Sequence, residues 1–195
     1  MKFLIATKNK HKLLEVQRIL EPMGITAISE NELDICLSDV VEDGDSFEEN
    51  ALIKARRACK ETGMITVADD SGLCVDALNG APGIYSARYA GEPSDSDKNN
   101  QKLLKALENV PYEKRTAAFV SVIACVFPDG REFCVQGSCK GFIGFSPMGE
   151  GGFGYDPLFI SKLGCFGEIS AEQKDSISHR GEALKIFSKE LKNYI

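Results

Sequence analysis

A chain of 195 residues, 43% hydrophobic and 27% charged, suits one globular domain with a sizeable core, read here as a single unit over residues 1–195. It holds no stretch of about eighteen apolar residues that would span a bilayer. Its net charge of −6 excludes a general nucleic-acid coat, so basic residues that bind phosphate must be gathered locally.

Residues 2–6, KFLIA, read as a short strand, and this apolar run is too brief for the core of a secretory signal, which points to the cytosol. From Leu13 the spacing of Leu13, Val16 and Leu20, with Ile19 beside them, changes to a helical period that Pro22 and Gly24 end. A second strand is expected near Ile25 to Ser29. Ser46 and Glu49 then form an S-x-x-E capping box, opening a helix that runs to Thr62 with Gly63 as its stop. Met64 to Ala68 reads as a strand that closes at Asp69 and Asp70, where a turn begins. A further helix is expected over Asp95 to Val110, with Leu103, Leu104 and Leu107 on one face.

Thr116 to Phe127 and Arg131 to Gly137 are two strands joined by a ProAspGly turn at 128–130, a hairpin. After the glycine-rich loop GEGGFGYDP at 149–157, the chain ends in a helix from His179 that buries Leu184, Phe187 and Leu191. Strands alternating with helices, then a hairpin, indicate an α/β fold with a central mixed β-sheet flanked by helices. The seven cysteines include no C-x-x-C pair, and an odd number cannot all pair within one chain, so they read as reduced, packed thiols.

Two adjacent carboxylates, Asp69 and Asp70, followed by Ser71 and Gly72, offer a seat for a divalent metal and its water. Taken alone, the same acids are better explained as a strand-closing turn. The segment TKNKHK at 7–12 lies where a strand meets a helix, and free backbone N–H groups there favour an anion. It is neither a G-x-G-x-x-G nor a Walker loop, and a solvated basic helix start explains it as well. Lys54 reads by default as an exposed helix residue, Glu42 as a loop acid, FGYDP at 153–157 as a glycine-permitted turn, and His179 with Arg180 as a helix-start pair facing water.

Taken together, TKNKHK at 7–12, SFEENALIKAR at 46–56, the block from Ala68 to Gly91, GGFGYDP at 151–157 and SHRGEALK at 178–185 give the chain an end-to-end resemblance to the inosine triphosphate pyrophosphatase family. In particular it resembles the bacterial branch that hydrolyses deaminated purine nucleoside triphosphates. The resemblance implies one α/β domain with a nucleotide cleft between two lobes. It also implies cleavage between the α and β phosphates of ITP, dITP or XTP, with Mg²⁺ as cofactor, and clearance of these nucleotides from the pool. In the family pattern Asp70 takes the proton of the attacking water, and Asp70, Asp69 and Glu42 hold or orient the metal. Lys54 is catalytic, Lys12 and Lys54 lie along the phosphates, Thr7 and Asn9 supply hydrogen bonds, and Ser71 contacts the nucleotide.

By the same resemblance Phe153, Gly154, Tyr155 and Asp156 form the base pocket, and Lys174, His179 and Arg180 fill the remaining substrate positions. One departure stands out: Lys8 occupies the place of the family's usual glycine. The resemblance also implies a homodimer, with a purine nucleotide as the only other partner, no nucleic acid and no membrane. A nucleotide phosphatase releasing orthophosphate and a non-catalytic nucleotide-binding module are the competing readings.

Overall fold

The computed structural model describes residues 1–33 and 40–195, so Cys36 and the Asp39 end of the acidic loop lie outside the described residues. The strands are β1 (Lys2–Ile5), β2 (Thr26–Ile28), β3 (Thr66–Val75), β4 (Thr116–Val126), β5 (Glu132–Ile143), β6 (Phe159–Ser161) and β7 (Gly164–Cys165). The helices are α1 (Lys10–Leu20), α2 (Phe47–Thr62), α3 (Ser96–Ala106), α4 (Ala171–Ile177) and α5 (His179–Glu190). The strands form one sheet in the order β2-β1-β3-β4-β5-β6-β7. β1 runs parallel to β2 and β3, while β6 is antiparallel to β5 and β7. This is the mixed α/β sheet expected from the sequence.

The chain divides into two compact units. The first comprises Met1–Asp70, Ser121–Gly137 and Arg180–Ile195; the second comprises Ser71–Val120 and Ser138–His179. Neither is a continuous stretch of chain, so no linker marks the division in the sequence.

In the first unit, alternation along each strand sorts side chains onto two faces. Phe3, Ile5, Val67, Ile123 and Cys125 join one buried cluster with Val16 and Leu20 of α1 and Leu184 and Phe187 of α5. Leu4, Ala6, Ala68, Val122 and Ala124 join another with Ala51, Ala55 and Ala58 of α2. The small alanines of α2 recur at three- and four-residue spacing and let that helix lie close to the sheet.

α1 begins at Lys10, earlier than the apolar spacing shows, because Asn9 caps it by accepting from the backbone N–H of His11 and Lys12. Two of the first-turn N–H groups expected to await an anion are thus satisfied internally. Ser46 caps α2 through Glu49 N–H, but the reciprocal bond of the expected box falls one residue earlier, from Asp45 N–H to the Glu49 carboxylate.

The strand expected to close at Asp69 instead continues to Val75, so the acid pair lies within β3 and not in a turn. Burying the acids inside a sheet is tolerable only because cations from other elements meet them. In the second unit, Leu73, Val75, Leu103, Leu107, Phe119, Ile143 and Phe159 form the core. α3 ends at Ala106 rather than Val110; the buried Arg115 guanidinium donates to the Leu107, Val110 and Gly144 carbonyls there. β5 runs six residues beyond the expected Gly137, and β6, β7 and α4 were not foreseen.

The six cysteines among the described residues are free thiols. Burial pushes Cys125 and Cys134 up to about 12, which leaves both protonated and unreactive at neutral pH.

Candidate active site

Strand alternation turns Asp69 and Asp70 to opposite faces of β3. Asp69 follows Val67 toward the α1 and α5 side, and Asp70 follows Ala68 toward α2. The two adjacent carboxylates therefore meet different partners. Asp69 is 4% exposed, and its oxygens accept from Ser121 Oγ at 2.5 Å, Lys12 Nζ at 2.8 Å and Arg180 Nη2 at 3.0 Å. Arg180, 1% exposed, also donates through Nη1 to Glu15 Oε2. Burial by itself would raise the Asp69 pKa, but Arg180 and Lys12 beside it, with hydrogen bonds from Lys12 and Ser121, hold it well below the usual carboxylate range.

Asp70 meets Lys54, whose Nζ donates to Asp70 Oδ1 at 2.8 Å, Glu42 Oε2 at 2.9 Å and the Asp69 carbonyl at 3.1 Å. Lys54 is placed there by α2, on the alanine face one turn from Ala51 and Ala58. Burial raises the Asp70 pKa, and Lys54 offsets only part of the rise. For Lys54 the balance goes the other way: burial lowers it, and Asp70 with Glu42 more than restore it. Glu42 is shifted upward by burial and downward by Lys54, with the lysine prevailing. Burial lowers Lys12 more than Asp69 lifts it.

The pair thus divides by environment. Asp69 is a committed ion-pair anchor, whereas Asp70 is the carboxylate with the higher affinity for a proton. No group of three or more His, Cys, Asp or Glu side chains placed to hold a metal occurs among the described residues. Asp70 and Glu42 are nonetheless two carboxylates converging on one cation. Two hard oxygen donors suit Mg²⁺, which takes one or two carboxylates and fills its shell with water and phosphate oxygens.

In the second unit, the loop at 152–156 is organised by Asp156. Its buried Oδ2 accepts from Phe153 N–H and from Lys174 Nζ, each at 2.7 Å. The same ammonium lies 4.8 Å from the Phe153 ring centroid and 5.6 Å from that of Phe166. Tyr155 is buried, and its hydroxyl donates to the Ser86 carbonyl at 2.8 Å, so its ring belongs to the core. Asn100 Nδ2 donates to the Gly154 carbonyl at 3.0 Å, while Phe153 and Gly154 remain half-buried. His179 is buried with its imidazole stacked on Phe119, centroids 4.8 Å apart and planes at 13°. Neither His179 nor Arg180 is the water-facing helix start that their position allows.

Gly152 has φ +76°, and a Cβ there would come within 2.2 Å of Asp156 Oδ2. Gly152→Ala is therefore expected to lose about 1–2 kcal/mol from the left-handed backbone alone, with a further loss as the Asp156–Lys174 pair is displaced. Urea unfolding at neutral pH measures it, and a wild-type midpoint would show that the loop absorbs the methyl group.

The structure brings Lys12, Asp69 and Arg180 into one ion cluster around a buried carboxylate and Glu42, Lys54 and Asp70 into a second, partly exposed one. Thr7 accepts from Asn9 N–H at the entrance to α1, and Ser71 is half-buried in β3. Sequence reasoning missed Glu15, Ser121, Phe119, Ser86 and Asn100. For Glu15 a signal existed: an acid three residues after Lys12 shares its helix face.

The Ham1 family profile matches residues 3–190 of this chain. The chain belongs to the Ham1 family. A protein of Desulforamulus reducens named dITP/XTP pyrophosphatase is 51% identical over 187 residues, spanning 95% of this chain and 92% of its own length. The structure of the Staphylococcus aureus Ham1 protein matches with a TM-score of 0.87 at 40% identity over 100% of both chains. A Mycobacterium abscessus structure, described as a nucleoside-triphosphatase or dITP/XTP pyrophosphatase, matches with a TM-score of 0.77 at 48% identity, over 96% of this chain and 98% of its own.

Proposed function

We propose that this Ham1 protein hydrolyses non-standard purine nucleoside triphosphates, namely ITP, dITP and XTP, releasing the nucleoside monophosphate and pyrophosphate and so clearing them from the nucleotide pool. The observation that carries the reading is the unequal treatment of the two adjacent acids. Asp70 is held ready to accept a proton beside Lys54, while Asp69 is locked to Lys12, Arg180 and Ser121. The names of its relatives at about half identity support the same chemistry.

Cleavage at the α phosphorus requires water to approach a polyanion, and the leaving pyrophosphate gathers charge in the transition state. Asp70 takes the proton from that water. Lys12 and Lys54 neutralise phosphate charge where it builds, and Thr7, Asn9 and Ser71 add hydrogen bonds. Asp70 and Glu42 would hold Mg²⁺, which when bound supplies further charge neutralisation at the phosphates. Asp69 contributes by fixing Lys12, and Arg180 by fixing Asp69.

The second unit carries the groups suited to a purine. Phe153 offers an aromatic ring for stacking, with the Lys174 ammonium over it and Asp156 and Tyr155 fixing the loop. Hypoxanthine and xanthine present an acceptor oxygen at C6, where adenine presents an amino donor. Arg180, the donor first expected to favour the deaminated bases, is engaged with Glu15 and Asp69, so that role passes to donors such as Lys174 and His179, because adenine would set donor against donor. We place the protein in the cytosol as a homodimer with no nucleic-acid or membrane partner; none of its described helices is long and apolar enough to cross a membrane.

The experiment is incubation of the pure protein and Mg²⁺ with ITP, XTP, dITP, ATP, GTP and dTTP, followed by product identification. Pyrophosphate from the first three and little from the others is the expected outcome. Orthophosphate as the sole inorganic product would make the protein a nucleotide phosphatase, and tight binding with no turnover would make it a binding module.

A further inference from the structure

We infer that Lys54 is an internal counter-ion for the metal-binding carboxylates, and that it must leave Asp70 and Glu42 before a divalent cation can take them, so that metal binds well only together with the triphosphate. The inference rests on the assignment of Asp70 and Glu42 to the metal and of Lys54 to the phosphates.

An ammonium has three N–H donors and no acceptor. All three of Lys54 are used, on Asp70 Oδ1 at 2.8 Å, Glu42 Oε2 at 2.9 Å and the Asp69 carbonyl at 3.1 Å. The lysine therefore occupies one oxygen of each carboxylate and places its positive charge between the two acids that a metal would bridge. Lys54 and Asp70 are largely shielded from water, with side-chain exposures of 14% and 11%, while Glu42 at 35% is only partly covered. Charge repulsion between the ammonium and an arriving cation is screened less there than at an open surface.

Two carboxylates and one ammonium leave a formal charge of only −1 to attract a divalent ion. No third acid joins them as a donor among the described residues, so most of the coordination shell must come from elsewhere. A triphosphate resolves both difficulties. Its oxygens complete the shell, and its negative charge gives the flexible lysine another anion to meet. Lys54 then exchanges carboxylate partners for phosphate partners in the same event that loads the site. Glu42, the most exposed of the three, is the partner freest to follow.

The test measures metal binding in the full-length protein by Mn²⁺ paramagnetic resonance, with and without a non-hydrolysable ITP analogue. Wild type is expected to bind Mn²⁺ at least tenfold more tightly with the analogue than without it. Lys54→Met is expected to bind Mn²⁺ alone at least tenfold more tightly than wild type does. Equal affinity of wild type and Lys54→Met for Mn²⁺ alone would overturn the inference.

A second measurement does not depend on the folding of that variant. In wild type labelled at lysine ¹³Cε, with the Lys54 signal assigned by Lys54→Arg, Mg²⁺ alone should leave the signal in place and Mg²⁺ with the analogue should move it. A shift with Mg²⁺ alone as large as that with both would also overturn the inference. Absence of metal binding under every condition would remove the metal assignment itself, and this inference with it.

Discussion

Asp70→Asn is expected to lower kcat by roughly 10²–10⁴-fold while leaving affinity for a non-hydrolysable ITP analogue within about tenfold of wild type. The substitution keeps the shape of the side chain and an oxygen that can still accept from Lys54 Nζ, now 2.8 Å away. It removes the negative charge, and with it the capacity to take a proton from water and one of the two anionic donors assigned to Mg²⁺. Burial already raises the Asp70 pKa from its ordinary value, Lys54 offsetting only part of that, so the neutral amide is a tolerable replacement and the fold should persist.

The neighbouring substitution provides the control. Asp69→Asn strips the buried Arg180 and Lys12 of the carboxylate they share, and should depress stability and turnover together. Single-turnover rates beside urea midpoints for the two variants separate the roles. Near-normal turnover in Asp70→Asn would remove it as the base. A loss of stability in Asp70→Asn equal to that in Asp69→Asn would mean that both acids are structural.

Local patterns in the sequence carried much of the fold. The apolar run in residues 2–6, the serine cap of α2 and the ProAspGly turn between β4 and β5 are each local signals spanning a few residues, and each has a structural counterpart. The acid pair was misplaced for the opposite reason. ADDSG reads as a turn because uncompensated carboxylates do not belong inside a sheet, and the compensating Arg180 lies 111 positions further along the chain. Glu15 and Arg180 are separated by 165 positions, a pairing that only the folded chain reveals.

β6 and β7 have three and two residues, too few for any period to register. α4 did leave a trace, since Ser170 and Gln173 form a complete capping box, but its seven residues carry little apolar pattern. For the site, the residue types were legible through the resemblance, while the division of labour was not. Which carboxylate is locked and which is available follows from the two faces of β3, and a face is defined only once the strand's true length is known.

Arg180→Met is expected to cost about 3–5 kcal/mol of stability at neutral pH, the usual penalty for removing one partner of a buried ion pair and stranding the other. Here two buried carboxylates, Glu15 and Asp69, each lose the guanidinium, while Asp69 keeps Lys12 and Ser121. The pH dependence has a definite sign. The folded pKa of Asp69 lies well below its unfolded value because Arg180 and Lys12 outweigh burial. Its stabilisation is therefore fully present above the unfolded carboxylate pKa and is lost as pH falls through the folded one.

Without Arg180, the largest of the opposing influences is gone and Lys12 and Ser121 remain against burial, so the folded pKa rises and that stabilisation shrinks. The gap between variant and wild type should accordingly be widest near pH 7 and close as pH drops below the ordinary aspartate range, with acid unfolding of the variant beginning at higher pH. Pairing the change with Glu15→Met removes one of the two acids that lost the guanidinium and should recover part of the loss, giving a coupling of about 0.5–3 kcal/mol as is typical of residues in one network. Urea unfolding of both single variants and the double variant between pH 3 and pH 8 measures each quantity. A gap that stays constant with pH would show that Arg180 stabilises through packing alone, because lost side-chain contacts carry no proton with them.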